Sequence, residues 1–167
     1  MKRLAMLALS AAALFAIYLS ATALATPATP GVQTTILGKS LFDEIELNAH
    51  TIPANLWQAR LKTQGQSDIY VVDNKIPAGG SVGWHSHPGP SLILVVAGTI
   101  TNYHGDDPTC TPHVYSAGSG FVDAGGDDVH ILRNETAAPA ETIAVQLLPT
   151  GATRRLDVTP SPGNCPF

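Results

Sequence analysis

The sequence predicts an all-β fold, either a sandwich or a barrel of short antiparallel strands. After residue 25 the apolar residues alternate with polar ones or occur in short runs, as they do in half-buried strands. Clusters of Gly, Pro, Asn and Asp separate these runs, and such clusters mark turns. No segment after residue 25 has the 3.6-residue apolar period of an amphipathic helix. Closely spaced strands joined by Gly/Pro turns are typical of sandwiches and barrels.

The first 25 residues have the pattern of a secretory signal peptide. Lys2 and Arg3 precede a long apolar run, and small residues precede a cut after Ala25 or, alternatively, after Ala23. An uncleaved membrane anchor is the other interpretation, because residues 4–25 are long enough to span a bilayer. Cleavage predicts a secreted or periplasmic protein.

The rest of the chain divides into three parts. Residues 26–40 begin with a Pro- and Thr-rich stretch and are expected to form an exposed lead-in. Residues 41–150 contain the predicted strands and are expected to form one domain. Residues 151–167 end in "TPSPGNCPF" and are expected to lie along the surface as a tail pinned by Cys165.

Individual strands are predicted from alternation and from short apolar runs. In "LWQARLKT" (56–63), Trp57, Ala59 and Leu61 alternate with polar residues. The run "SLILVV" is of the kind found in buried strands. The predicted strands are 56–63, 69–76, 91–96, 99–104, 113–116, 130–134 and 141–148.

Charge and cysteine content narrow the range of partners. Without the signal peptide, seven basic and thirteen acidic side chains remain, a net charge of −6. A mildly acidic domain without basic clusters argues against nucleic acids and anionic membrane surfaces as partners.

Cys110 and Cys165 are the only cysteines, and in an exported chain they are expected to form one disulfide. Asn134 begins a formal N-glycosylation pattern, which matters only in a eukaryotic secretory route.

Two histidines stand one residue apart in "GWHSHPGPSLILVVAG". Residues i and i+2 of a strand point to the same face, so His85 and His87 are expected to face one side. From Gly79 to Gly98 the spacing of this segment is G(x)5HxH(x)3S(x)6G, with Ser91 as the serine.

A second segment, "AGGDDVHILRN", contains His130 and Asn134 with three residues between them. Together the two segments resemble the two motifs of the cupin superfamily, G(x)5HxH(x)3–4E(x)6G and G(x)5PxG(x)2H(x)3N. The resemblance covers most of the domain. Ser91 stands in the position of the family's Glu. In the second motif Gly125 stands where Pro is usual and Asp127 where Gly is usual.

The resemblance implies a single cupin-type barrel, a double-stranded β-helix or jelly roll, that holds one divalent transition metal. His85, His87 and His130 would be the metal ligands. Three imidazoles suit Fe, Ni, Mn, Cu or Zn and leave coordination positions open for a small molecule. Without the Glu carboxylate the site carries one more positive charge, which favours an anionic ligand.

The missing carboxylate leads us to predict a fourth ligand. "VVAGTI" is expected to be a tight hairpin with an Ala97-Gly98 turn, because glycine suits the positive φ of such turns. That register places His104 opposite Ser91, and opposite residues point to the same face. We therefore expect His104 to be the fourth metal ligand. The alternative is an exposed His104 beside the turn "GDDP".

Other polar candidates have a plainer interpretation. His50 and His113 are expected to be ordinary polar residues. Asp127 and Asp128 are expected to make local hydrogen bonds in a turn, with proximity to the metal as the alternative. Trp84 should pack on the side of its strand opposite to the two histidines.

The sequence leaves functions of different classes open. One is a metal-dependent oxygenase-type enzyme that acts on a small molecule at an open metal site. Another is a non-catalytic barrel that binds a small ligand or a metal outside the cytoplasm. A barrel with a vestigial site is the third, because Ser91 replaces the acidic ligand. The sequence identifies no catalytic residue or nucleotide-binding motif, and it leaves a homodimer open.

Overall fold

The computed structural model describes residues 27–53 and 56–167. The predicted signal peptide, residues 1–25, lies outside the described residues. Every extended regular element within them is a β-strand, which confirms the all-β class. This part of the chain contains no helix long and apolar enough to cross a membrane.

Twelve strands follow one another along the described chain. They are β1 (Gln33–Phe42), β2 (Glu46–His50), β3 (Gln58–Lys62), β4 (Ser67–Ile76), β5 (His85–Ser86), β6 (Ser91–Ala97), β7 (Thr99–His104), β8 (His113–Ser116), β9 (Gly120–Asp123), β10 (His130–Arg133), β11 (Ala140–Pro149) and β12 (Leu156–Asp157). The seven predicted strands correspond to β3, β4, β6, β7, β8, β10 and β11.

Ten of the strands form two five-stranded antiparallel sheets. The first sheet has the order β1-β4-β11-β6-β9, and the second has the order β12-β5-β10-β7-β8. Strands β2 and β3 form a separate two-stranded ribbon. Most neighbours within the two large sheets are distant in sequence, so the fold depends on long-range pairing.

The two large sheets pack face to face around an apolar core. One cluster combines Ile76 and Val95 of the first sheet with Ile100 and Leu132 of the second. Burial of each of these side chains contributes about 1.5–3 kcal/mol. In β6 every second residue from Ser91 to Val95 is buried, and the residues between them are exposed. This alternation places Ser91 on the inner face of the first sheet.

The C-terminal segment is tied to the second sheet in two ways. Cys110 and Cys165 form the predicted disulfide, with their Cα atoms 5.2 Å apart. Upstream of the disulfide, β12 pairs with β5. Residues 151–167 therefore do more than lie along the surface, because they complete one edge of the sheet that carries His85.

Strand β1 overlaps residues 26–40, the predicted lead-in. Its residues pair with β4, yet all of them are exposed, so no apolar alternation marks the strand in the sequence. An irregularity between Ile36 and Gly38 interrupts the pattern further. The lead-in therefore ends before Gln33.

Strands β6 and β7 do not form the predicted hairpin. β6 pairs with β9 and β11 in the first sheet, whereas β7 pairs with β8 and β10 in the second. Gly98, with φ of +69°, connects the two sheets. A Cβ at this position would lie 2.5 Å from the carbonyl oxygen of Pro139, so only glycine fits. The predicted pairing of Ser91 with His104 is wrong.

Candidate metal centre

Three buried histidines converge between the two sheets. His85 and His130 are cross-strand partners in β5 and β10, and His87 follows β5 directly. The ring centroid of His85 lies 4.9 Å from that of His87 and 4.4 Å from that of His130. One ring nitrogen from each residue lies within 4.8 Å of the other two. This histidine cluster could hold a metal ion, since imidazole nitrogens are common metal ligands.

Hydrogen bonds to backbone carbonyls orient two of the rings. Nδ1 of His85 donates to the carbonyl oxygen of Gly83 at 2.8 Å, and Nδ1 of His87 donates to that of Arg154 at 2.6 Å. A nitrogen that donates carries the proton, so Nε2 of each neutral ring keeps a lone pair. Nδ1 of His130 is buried and has no hydrogen-bond partner among the described residues. Each ring therefore offers a nitrogen that could bind a metal.

Burial favours the neutral form of all three imidazoles. Burial is the main cause that lowers the pKa of His85 well below its usual value, and the nearby His130 lowers it further. Burial also lowers the pKa values of His87 and His130, although the Asp123 carboxylate opposes the shift in both. Neutral imidazole is the form that binds metal ions.

Three polar side chains form a row across the inner face of the first sheet. Gln146 in β11 is the cross-strand partner of Ser91 in β6, and Ser91 is the partner of Asp123 in β9. All three are buried. Nε2 of Gln146 donates to Oγ of Ser91 at 3.2 Å and lies 3.3 Å from both ring nitrogens of His87. This polar row therefore borders the histidine cluster.

Asp123 brings a carboxylate next to the histidines. Its Oδ2 lies 3.9 Å from Nε2 of His87, and its Oδ1 lies 3.8 Å from Nδ1 of His130. Oδ1 accepts a hydrogen bond from the backbone N–H of Gly125 at 2.8 Å. Oδ2 is buried and has no hydrogen-bond partner within the described part of the chain. Asp123 was not predicted from the sequence as a site residue, because strand β9 was not predicted.

The histidine cluster and the polar row line a cavity of about 50 Å³. One water molecule needs about 10–15 Å³ measured in this way, so the cavity holds only a few small groups. Arg154 and Arg155 also line it. Arg155 pairs with Asp157 at 2.7 Å, whereas Nη1 of Arg154 donates to the neutral Oε1 of Gln146 at 3.0 Å. The Arg154 guanidinium therefore adds positive charge to one wall of the cavity, whereas the charge of Arg155 is compensated by Asp157.

His104 lies outside the histidine cluster. It is the cross-strand partner of His130, but its Nδ1 lies 3.0 Å from a carboxylate oxygen of Asp128. Its Nε2 lies 3.2 Å from the amide nitrogen of Asn102. Both ring nitrogens are therefore engaged, and His104 is not among the residues that line the cavity. This arrangement gives no support to His104 as the fourth metal ligand.

The remaining candidates lie away from the cavity. His50 and His113 are exposed, as expected of ordinary polar residues. Asp127 is exposed, and Asp128 is half-buried and makes the histidine contact described above. Trp84 is buried in an apolar cluster separate from the cavity, as predicted.

Asn134, the last residue of the second motif, is structural. It is fully buried, and its Nδ2 lies 3.1, 3.0 and 2.7 Å from the carbonyl oxygens of Ile76, Pro77 and Ala138. Its Oδ1 accepts a hydrogen bond from the backbone N–H of Thr136 at 3.1 Å. These bonds fasten the end of β10 to the end of β4. The amide is therefore not accessible to glycosylation in the folded protein.

The chain is similar to a known protein family and to several solved structures of low sequence identity. A family model described as the cupin domain matches residues 74–146, a range that contains the histidine cluster and the polar row. A solved cupin superfamily protein from Desulfitobacterium hafniense is 12% identical, covering 72% of this chain and 80% of that one, with a TM-score of 0.49. A conserved protein with a double-stranded β-helix domain from Klebsiella pneumoniae is 19% identical, covering 70% and 84%, with a TM-score of 0.46. A polyketide cyclase from Streptomyces resistomycificus is 15% identical, covering 56% and 64%, with a TM-score of 0.46. No curated protein sequence matches the chain.

Proposed function

We propose that the chain is a member of the cupin superfamily, since the cupin domain model matches residues 74–146, and that it binds one divalent transition metal through His85, His87 and His130. The observation that carries the proposal is the convergence of three buried imidazoles whose ring nitrogens lie within 4.8 Å of one another. Fe, Ni, Mn, Cu and Zn are the candidate ions, because imidazole binds each of them. The two sheets are proposed to form a single cupin-type barrel around this site.

Metal analysis of purified protein tests the site. One ion per chain is expected, and the double variant His85→Ala plus His87→Ala should lose it while remaining folded. The matched control is His50→Ala plus His113→Ala, which removes two exposed histidines and should leave the metal content unchanged. A full complement of metal in the first double variant would show that the ligands are elsewhere.

We propose further that the site carries out a metal-dependent oxygenase-type reaction on a small anion. A bound ion of this type supplies a Lewis acid and open coordination positions. The cavity volume of about 50 Å³ limits the substrate to a few non-hydrogen atoms unless the walls move. Arg154, whose Nη1 donates to a neutral amide, would bind the anionic end of the substrate through its guanidinium.

The alternative function is non-catalytic binding of a small ligand or a metal. The small cavity and the serine at position 91 favour it, because the cavity holds only a few atoms and serine does not replace the acidic residue of the family motif. Oxygen uptake by the Fe(II)-loaded protein with a panel of small carboxylates separates the two functions. Consumption of oxygen supports the enzyme, whereas calorimetric binding of the same carboxylates without consumption supports the binding protein. A vestigial site would bind neither metal nor carboxylate.

Secretion or export to the periplasm is proposed together with this function. The Cys110–Cys165 disulfide supports it, because such bonds persist in oxidising compartments. N-terminal sequencing of the mature protein tests it, and a new terminus after Ala25 or Ala23 is expected.

A homodimer is also proposed, supported by apolar residues exposed on the outer face of β6. Light scattering measures its mass.

A further inference from the structure

We propose that Asp123 is a fourth ligand, so that the metal is bound by three imidazoles and one carboxylate. This inference rests on the proposed metal site. In the cupin motif the acidic residue is at position 91, and here the residue at that position is serine. Asp123 is the direct cross-strand partner of Ser91 and lines the same cavity. The carboxylate that the family motif places on β6 would therefore be supplied by the neighbouring strand β9 in this chain.

The environment of Asp123 favours a cation beside it. Its side chain is only 2% exposed, and Oδ2 has no hydrogen-bond partner among the described residues. The ring nitrogens of His87 and His130 lie 3.9 and 3.8 Å from its two carboxylate oxygens, beyond hydrogen-bond distance. A buried carboxylate is costly unless it is paired or coordinates a metal. A divalent ion among the three histidines would satisfy it.

The distance between Asp123 and His87 is compatible with coordination of the same ion. Two atoms that each lie about 2.1 Å from one ion can be at most about 4.2 Å apart. Oδ2 of Asp123 lies 3.9 Å from Nε2 of His87, the nitrogen whose lone pair is left by the bond from Nδ1 to Arg154. The three histidines form the group whose ligand atoms lie within 4.8 Å of one another, so the Asp123 carboxylate would complete the set by moving closer to His85.

A second departure from the family motif supports the same assignment. Gly125 stands where the family has proline, and its backbone N–H donates to Oδ1 of Asp123 at 2.8 Å. Proline has no N–H and could not make this bond. Gly125 also has φ of +72° and packs against Gly89, so a side chain here would collide with the backbone. The two departures from the motif are thus explained together. Ser91 lacks the carboxylate that the family has at this position, and the backbone N–H of Gly125 donates to the carboxylate of Asp123, which would replace it.

The competing role for Asp123 is to position His130 without touching the metal. An Asp123→Asn variant separates the two roles, because the amide oxygen keeps a hydrogen-bond acceptor but loses the charge of a good ligand. Carboxylates favour Mn²⁺, whereas imidazoles suit Zn²⁺. A lost carboxylate ligand should therefore weaken Mn²⁺ more than Zn²⁺, and a disturbed histidine should weaken both equally.

The experiment is calorimetric titration of the metal-free, full-length mature protein with Mn²⁺ and with Zn²⁺. For Asp123→Asn we expect the Mn²⁺ affinity to fall by at least about 100-fold and the Zn²⁺ affinity by about 10-fold. The metal-free variant should melt at or above the wild-type temperature, since a buried charge is gone. Asp73→Asn is the matched control, because it removes a largely buried carboxylate that does not line the cavity, and it should bind both ions like the wild type.

Two results would overturn the inference. Unchanged affinities in Asp123→Asn would show that the carboxylate is not a ligand, and equal losses for Mn²⁺ and Zn²⁺ would make Asp123 a positioning residue. Failure of the underlying proposal looks different. In that case the wild type binds neither ion, or the double variant His85→Ala plus His87→Ala binds as tightly as the wild type.

Discussion

Ser91 and Asp123 face each other across strands β6 and β9, and both side chains line one cavity. Directly opposed Cβ atoms lie about 4.5–5.5 Å apart, so a carboxylate on either strand reaches much the same space. We predict that Ser91→Glu restores part of the Mn²⁺ affinity that Asp123→Asn removes, because it returns an acidic ligand to the family position. Titration calorimetry of the double variant measures the gain.

The control for this exchange is Ser91→Gln in the same Asp123→Asn background. Gln has nearly the size and shape of Glu but no charge, so it should restore nothing. Equal Mn²⁺ affinities in the two double variants would show that a carboxylate at position 91 does not contribute to binding. Circular dichroism of both metal-free variants confirms that the larger side chain is accommodated.

The disulfide should make a large contribution to stability. Cys110 and Cys165 are 55 residues apart, and closing a loop of that length in the unfolded chain is worth about 4 kcal/mol in the chain-entropy model, an upper estimate. Cys110→Ser plus Cys165→Ser should therefore lower the free energy of unfolding by up to this amount in urea denaturation. Wild-type protein, denatured without reductant, should show no free thiol. Two thiols per chain would contradict the bond.

Seven strands were predicted from the sequence, including the two with the most regular alternation of burial, and five were missed, namely β1, β2, β5, β9 and β12. β6 and β11 have buried residues at every second position, so local periodicity reveals them. β1 is exposed along its whole length, and β5 and β12 have two residues each. Such strands exist because a neighbouring strand offers hydrogen bonds, and no local pattern records that partner.

The candidate site was also predicted only in part. The spacing of His85, His87 and His130 identified the histidine cluster, because those residues belong to two short motifs. Asp123 and Arg154 were missed, since they reach the cavity through the strand order and through the C-terminal segment. The hairpin prediction failed at Gly98, where a tight turn and a crossing between sheets have the same local sequence. Strand order is a long-range property, and residue spacing alone does not determine it.

Asn134 should be a major determinant of stability despite its distance from the cavity. Its side-chain amide contacts three backbone carbonyls and is completely buried. We predict that Asn134→Ala lowers the free energy of unfolding by about 3 kcal/mol, because buried carbonyl groups lose their partner. Asn48→Ala, at an exposed position of the ribbon formed by β2 and β3, should change it by less than about 0.5 kcal/mol. Equal effects in urea denaturation would contradict the structural role of Asn134.

An ion pair between strands β1 and β4 should make stability depend on pH. Nζ of Lys39 lies 2.9 Å from Oδ2 of Asp68, a side chain that is only 3% exposed. The hydrogen bond from Lys39 is the main cause that lowers the pKa of Asp68 below its ordinary value of 3.8, and the backbone N–H of Gly151 lowers it further. A carboxylate whose pKa is lowered by folding stabilises the folded state above that ordinary value and stops doing so as the pH falls through the folded-state pKa.

We therefore predict that Asp68→Asn is less stable than the wild type at about pH 7 and that the difference in melting temperature stays constant down to about pH 5. Below about pH 4 the difference should shrink, because the wild-type carboxylate becomes protonated and the two proteins become alike. Glu46→Gln is the matched control, since it removes an exposed carboxylate that lies 3.6 Å from the exposed Lys62. Exposed ion pairs contribute little to stability, so the melting temperature of this variant should match that of the wild type at every pH. A constant difference between Asp68→Asn and the wild type down to about pH 3 would show that the ion pair is not the source of the stabilisation.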